Sequence, residues 1–249
     1  AKDGRPIIPT PHGALRLLTW LPGTPLAHLP RSPVLATATG RSLARLDATL
    51  AAFPHPAADH PLLWDIRNAP DLAPLLPALS EDLRPLAAAF LTRFQDHISP
   101  ALSRLPRQVI HGDFNPHNLL ADPSGPARLT GILDFGDMTL SHRICDLAVA
   151  ASYLIDPAAP LNLLAPLTAA YHRATPLTDA ELHLFPDLIT ARLVTTLTIT
   201  AWRAARYPDN APYILRNAPA SRAGLVALTA LDPARLTDAL HTACESQTA

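Results

Sequence analysis

Lysine is nearly missing from this chain: among 249 residues it occurs once, as Lys2, and arginine carries almost all of the positive charge. The formal net charge is -1, so there is no basic footprint for nucleic acid or another polyanion. The two cysteines, Cys145 and Cys244, stand far apart without metal-ligand spacing, the pattern of a reduced, cytoplasmic chain. None of the nine glycines builds a G-x-G-x-x-G run. No apolar run approaches the length of a membrane span and no signal peptide is visible, so no membrane partner is expected. The chain opens Ala1-Lys2-Asp3, without an initiator methionine. Apolar side chains are plentiful: 48% of residues are hydrophobic, ample core for one large domain or two modest ones.

The chemistry concentrates in Val109–Asp137. His111-Gly112-Asp113 is followed five residues later by Asn118, and sixteen residues after that comes Asp134-Phe135-Gly136. Leu119–Ala121 and Leu129–Leu133 are short apolar runs separated by Asp122-Pro123-Ser124-Gly125, so the spacing predicts a β-hairpin. Asn118 enters this hairpin and Asp134 leaves it, which brings both to its open end. Phosphoryl transfer from ATP needs a carboxylate facing the acceptor hydroxyl and oxygen ligands for magnesium. Asp113 suits the first task, and Asn118 and Asp134 the second. A lone HGD could be a capping turn and a lone DFG a chance match. The pair, joined by a hairpin, is poorly explained by capping.

This stretch resembles the catalytic and metal loops of the aminoglycoside phosphotransferase and choline kinase superfamily, and more loosely its hydroxylysine and homoserine kinase branch. Gly112 stands where protein kinases have arginine, which points to small-molecule substrates. The resemblance implies ATP and Mg2+ as cofactors and a small-molecule hydroxyl as acceptor. It gives His111 a structural role and makes Asp146 a brace for the catalytic loop. His117 reads as a solvated loop residue, Asp137 as a loop charge or metal-loop assistant, and Cys145 as a small core residue. LLTWLPG resembles the last strand of a first lobe entering the hinge, which makes Thr19, Trp20 and Leu21 candidate backbone contacts for adenine; an edge strand with a buried tryptophan is the plainer alternative. A complete kinase of this type carries a phosphate-covering loop and a lysine paired to a helix glutamate. Neither is found, since Lys2 lies too early and the first glutamate is Glu81. The expectation is a fragment, or a chain lacking its amino-terminal lobe, with poor turnover alone.

The expected fold is α+β, predominantly α: a protein-kinase-like C-terminal lobe over 31–249 with a small catalytic β-hairpin. Residues 1–30 supply a hinge strand and a remnant of the first lobe, with 1–13 as loop, Ala14–Leu21 as strand and Thr24–Pro33 as linker. Helices are expected over Val34–Phe53, from Ser80 to about Leu105, over Leu161–Ala174 and Asp179–Arg206, and in shorter pieces from Ala211 and Asp232. His60–Leu72 reads as irregular. Arg143 pairs with Asp146 or faces solvent. Arg192 and Arg203 lie eleven residues apart, about three helical turns, and so share a face. With Trp202 they form a candidate grip for a substrate carboxylate, the alternative being a solvated face. Acids in the C-terminal half are scattered, so the expected acceptor is an amino alcohol or a hydroxy amino acid, the arginines favouring the latter, with an aminoglycoside as the alternative. Two other classes stay open: a non-catalytic kinase-like binding module, and a metal-dependent hydrolase, which lacks further ligands at useful spacing.

Overall fold

The computed structural model describes residues 6–122, 124–125 and 128–246. Lys2 therefore lies outside the described residues. The chain opens with an antiparallel pair, β1 (Ile8–Thr10) and β2 (Gly13–Leu15), where the sequence suggested loop. The strand expected over Ala14–Leu21 is confined to its first two residues, because β2 pairs only with β1 and 16–22 follows as irregular backbone. The expected linker after it holds a short strand, β3 (Thr24–Pro25), and a 3-10 turn, Leu26–His28.

Ser32 starts the first long helix, α1 (Pro33–Leu50): its side chain accepts from the Leu35 N–H, and Pro33 occupies a position where no N–H is needed. Ile66–Ala78 then forms an extended 3-10 run. Pro70, Pro74 and Pro77 each remove a donor, so an α-helix cannot form, yet Ile66, Ala69, Leu72 and Leu76 are buried. The helical stretch after it begins later than Ser80, as α2 (Arg84–Arg93), widens into a π-turn over Phe94–Ile98 and ends as α3 (Ser99–Leu102).

Three short strands and a hairpin carry the loops of interest. β4 (Gln108–Ile110) leads into the HGD motif, and β5 (Leu119–Ala121) and β6 (Leu129–Ile132) form the predicted hairpin, with Leu119 opposite Ile132. β7 (Thr139–Ser141) returns antiparallel to β4, with Val109 opposite Leu140. β3 adds a third strand beside β5. The loops after β4 and β6 thus leave neighbouring small sheets side by side.

The remainder is helical: α4 (Arg143–Ser152), α5 (Leu161–Ala174), α6 (Asp179–Arg206), α7 (Ala211–Ile214), α8 (Ala218–Thr229) and α9 (Pro233–Glu245). α5 and α6 have the boundaries read from sequence. Thr178 and Glu181 close a capping box at the start of α6. α6 is the central beam, packed on α4, α8, α9 and the 3-10 run. Among the described residues it is also the one helix long and apolar enough to cross a membrane; 83% of that window is buried inside the fold. α1 lies against α5 so closely that a Cβ on Gly40 would stand 2.1 Å from the Leu167 carbonyl oxygen. Leu43, Leu147, Leu164, Tyr171 and Phe185 are fully buried where these helices meet.

Candidate active site

The catalytic loop is tied from beneath by one carboxylate. Asp146, fully buried on α4, accepts from the backbone N–H of His111 at 2.8 Å and of Gly112 at 3.1 Å. Gly112 sits at φ +79°, and a Cβ there would lie 2.5 Å from the Asp137 carbonyl oxygen. Glycine is therefore required both for the backbone conformation and for the approach of the two loops. His111 is buried between the rings of Phe114 and Phe135. Its Nδ1 accepts from the Asp113 N–H at 3.2 Å, so Nε2 carries the proton and donates to the Leu133 carbonyl at 3.0 Å. His111 thus staples the catalytic loop to the residue before Asp134 and faces no open space. His117 is exposed.

Asp113 points into a cleft with 24% of its side chain exposed. Oδ2 accepts from Asn115 Nδ2 at 2.8 Å and Asn118 Nδ2 at 2.9 Å, and Oδ1 accepts from the Arg192 guanidinium at 3.0 Å. Arg192 is not on a solvated face. It is 2% exposed, donates to the Trp64 carbonyl at 3.2 Å and lies over the Trp64 ring at 5.2 Å. A desolvated guanidinium stacked and paired in this way is held in one orientation.

At the open end of the hairpin the Leu133 N–H donates to the Asn118 carbonyl at 2.8 Å, which sets Asn118, just before β5, beside Asp134, just after β6. With Nδ2 committed to Asp113, Asn118 Oδ1 is the atom left for a cation. Asp134 has φ 59°, the one non-glycine in the left-handed region among the described residues. That backbone leaves its side chain exposed, with one bond from the Gly136 N–H at 3.3 Å. Among the described residues no three His, Cys, Asp or Glu side chains cluster as a closed metal cage. A magnesium–nucleotide site asks less, because phosphate and water oxygens complete the shell around one or two protein ligands. Asn118 and Asp134 meet that requirement. Burial, then the nearby Asp113 carboxylate and Asp134, push the Asp137 carboxyl above the usual range.

The cleft in front of Asp113 encloses about 340 Å³ and is lined by Trp64, Asn115, Asp137, Tyr153, Arg203 and Arg216, among others. Thr196 and Thr200 continue the α6 face between Arg192 and Arg203. Arg216 stacks at 4.0 Å on the Tyr213 ring. Trp202 is not among the lining residues, being one position, about 100°, round the helix from Arg203. Arg143 does not pair with Asp146; its guanidinium makes two 2.7 Å bonds to Glu181. Thr19, Trp20 and Leu21 are exposed, Trp20 at 89%, so this tryptophan is not buried in an edge strand. The segment does run along the hairpin, since Thr130 Oγ1 donates to the Pro22 carbonyl at 2.9 Å. Cys145 is fully buried, and burial pushes its thiol well up, which leaves it inert.

Sequence reading missed Asn115, Trp64 and Arg216. Asn115 was legible in principle, as an amide two residues after the acid. Trp64 and Arg216 come from segments whose position depends on tertiary packing.

Hydroxylysine kinase from Danio rerio is 31% identical to this chain over 225 residues, covering 87% of the chain and 62% of the relative. Homoserine kinase from Ralstonia nicotianae is 30% identical over 199 residues, covering 74% and 59%. The chain thus spans about six-tenths of the length of these curated relatives. Among solved structures, amicoumacin kinase hAmiN in complex with AMP-PNP, Ca2+ and Ami superposes with a TM-score of 0.63 at 15% identity, over 94% of this chain and 73% of that one; this likeness concerns the fold. Residues 6–185 match the model of the phosphotransferase enzyme family, and the chain belongs to that family, within the superfamily of aminoglycoside phosphotransferases and choline kinases that its loops resemble.

Proposed function

We propose that this protein transfers the terminal phosphoryl group of ATP to the hydroxyl of a small hydroxy amino acid. The observation that carries the reading is the setting of Asp113. Three side-chain donors hold its carboxylate at the mouth of a cleft whose other walls offer Arg203, Arg216 and Asp137. An acceptor with a carboxylate, an ammonium and a hydroxyl matches those charges. Arg203 and Arg216 face the carboxylate, Asp137 the ammonium, and Asp113 the hydroxyl. Arg192 is occupied with Asp113, so it orients the acid and does not grip the substrate.

Asn118 Oδ1 and the Asp134 carboxylate would hold magnesium, which neutralises phosphate charge when the nucleotide is bound. Asp113 then receives the acceptor's proton as the hydroxyl oxygen bonds to phosphorus and the bond to the ADP oxygen breaks. Positioning by the Arg192, Asn115 and Asn118 contacts removes the need for the carboxylate to reorganise during the step. Backbone near Thr19–Leu21 is the proposed resting place of adenine, because this segment borders the hairpin that ends in Asn118 and Asp134. The names of the hydroxylysine and homoserine kinases agree with this acceptor class. An aminoglycoside fits less well, because a cleft carrying Arg203 and Arg216 opposes several ammonium groups.

The test is ADP release by the full-length protein that contains this chain, with ATP and magnesium, over hydroxylysine, homoserine, ethanolamine, choline and an aminoglycoside. We expect turnover with a hydroxy amino acid and a loss of about a thousandfold in Asp113→Asn. Equal turnover with ethanolamine would overturn the carboxylate assignment. Activity surviving in Asp113→Asn would overturn the role of Asp113.

A further inference from the structure

The catalytic loop has a second acid beneath it that the chemistry above does not use. Asp47, on the inner face of α1, is 1% exposed. Tyr171 of α5 donates its hydroxyl to Asp47 Oδ2 at 2.6 Å, and Gln108 Nε2 donates to the Asp47 carbonyl at 2.7 Å. Oδ1 receives no donor. The side chains of Asp47 and Asp146 interact directly, and because Oδ2 is taken by Tyr171, Oδ1 is the atom free to meet Asp146. Two ionised carboxylates in contact in a dry interior repel strongly, so the pair keeps one proton. The partners decide which acid holds it. Asp146 takes N–H donors from His111 and Gly112, which favour its charge, whereas Asp47 has one hydroxyl. The neighbouring cation, Arg143 of α4, is committed to Glu181 of α6. Burial, followed by the charge of Asp146, pushes Asp47 well above the usual carboxylate range.

We propose that Asp47 is a positioning residue of this phosphotransferase: as a neutral acid it donates from Oδ1 to Asp146 and so fixes the two oxygens that hold His111 and Gly112. The chain of bonds runs from Tyr171 through Asp47 and Asp146 to the backbone just before Asp113. It gives the orphan Oδ1 a proton and a partner, where an ionised Asp47 would leave a buried acceptor unmatched. The catalytic part of this proposal rests on the function proposed above, but the protonation state does not. Asp47 gains a proton affinity on folding, so its contribution to stability is complete below its unfolded value and declines as pH rises toward the folded one.

Two variants and one spectrum test it. Asp47→Asn keeps a donor toward Asp146 and an acceptor for Tyr171 without a charge. Asp47→Ala lowers kcat roughly ten- to a hundredfold with little change in acceptor KM, and Asp47→Asn restores most of that loss. The melting temperature of Asp47→Asn rises relative to wild type as pH increases from about 4. Difference infrared spectroscopy of the wild type at neutral pH shows a protonated-carboxyl stretch that Asp47→Asn lacks. An Asp47→Asn variant as impaired as Asp47→Ala, or an infrared band unchanged by it, overturns the proposal. The infrared and melting measurements need no turnover. If no acceptor is phosphorylated, they still decide the protonation of Asp47, and the failure belongs to the proposed function. They also decide if Asp47→Ala does not fold.

Discussion

The catalytic loop and the metal loop lie side by side yet hold their acids to different degrees. The catalytic loop is bonded from outside as well as inside its own sequence: Asn115 and Asn118 hold Asp113 from within, while Asp146 holds two of its N–H groups and Arg192 reaches Asp113 from α6. The metal loop is shaped from within, by the left-handed backbone of Asp134 and a single 3.3 Å bond from Gly136. A group that receives a proton benefits from fixed partners before the reaction begins. A ligand for a cation delivered with the nucleotide benefits from an open side chain on a set backbone. The contrast fits the division of labour proposed for Asp113 and Asp134.

Three substitutions would sharpen or break this contrast. Asp146→Ala leaves two buried N–H groups without partners, and we expect a loss of about 3 kcal/mol in urea unfolding; a loss below about 1 kcal/mol would mean the catalytic loop is held by other contacts. Arg192→Met keeps the apolar stem over Trp64 but frees Asp113 Oδ1. It should lower kcat about tenfold, equivalent to about 1.4 kcal/mol, and an unchanged kcat would remove Arg192 from the orienting set. Asp134→Gly relieves the left-handed backbone and should end magnesium-dependent turnover while raising stability by about 0.5 kcal/mol. A stability loss as large as that of Asp146→Ala would show that the metal loop, too, is locked by its side chain.

Local signals account for what the sequence revealed. The HGD-to-Asn spacing, the turn residues after Ala121 and the Thr178–Glu181 capping pair act over a few residues, and the hairpin and α6 follow from them. α1, expected over Val34–Phe53, runs from Pro33 to Leu50, its start set by the Ser32 cap and Pro33, which the sequence reading placed in a linker. What was not legible depends on partners far along the chain. A strand exists only through its neighbour, and the apolar pattern of 14–21 does not say that β2 pairs with β1 alone. The three prolines of the 3-10 run hid a buried face behind an irregular pattern. Arg192 and Arg203 were placed on one face of α6, yet that face is partly buried, and Arg192 meets Asp113 from 79 positions away. Asp47 and Tyr171, 124 positions apart, carried no sequence signal.

The stacking of Arg192 on Trp64 also makes the site visible to light. The chain has three tryptophans. Trp20 stands in solvent at 89% exposure, where iodide reaches it and quenches its emission. Trp64 is shielded by the guanidinium that holds Asp113. Trp202 is half-buried beside Arg203, so in a Trp202→Phe background the emission that iodide leaves and that responds to an acceptor entering the cleft comes from the indole beside the proposed reaction centre, and a titration needs neither label nor coupled enzyme.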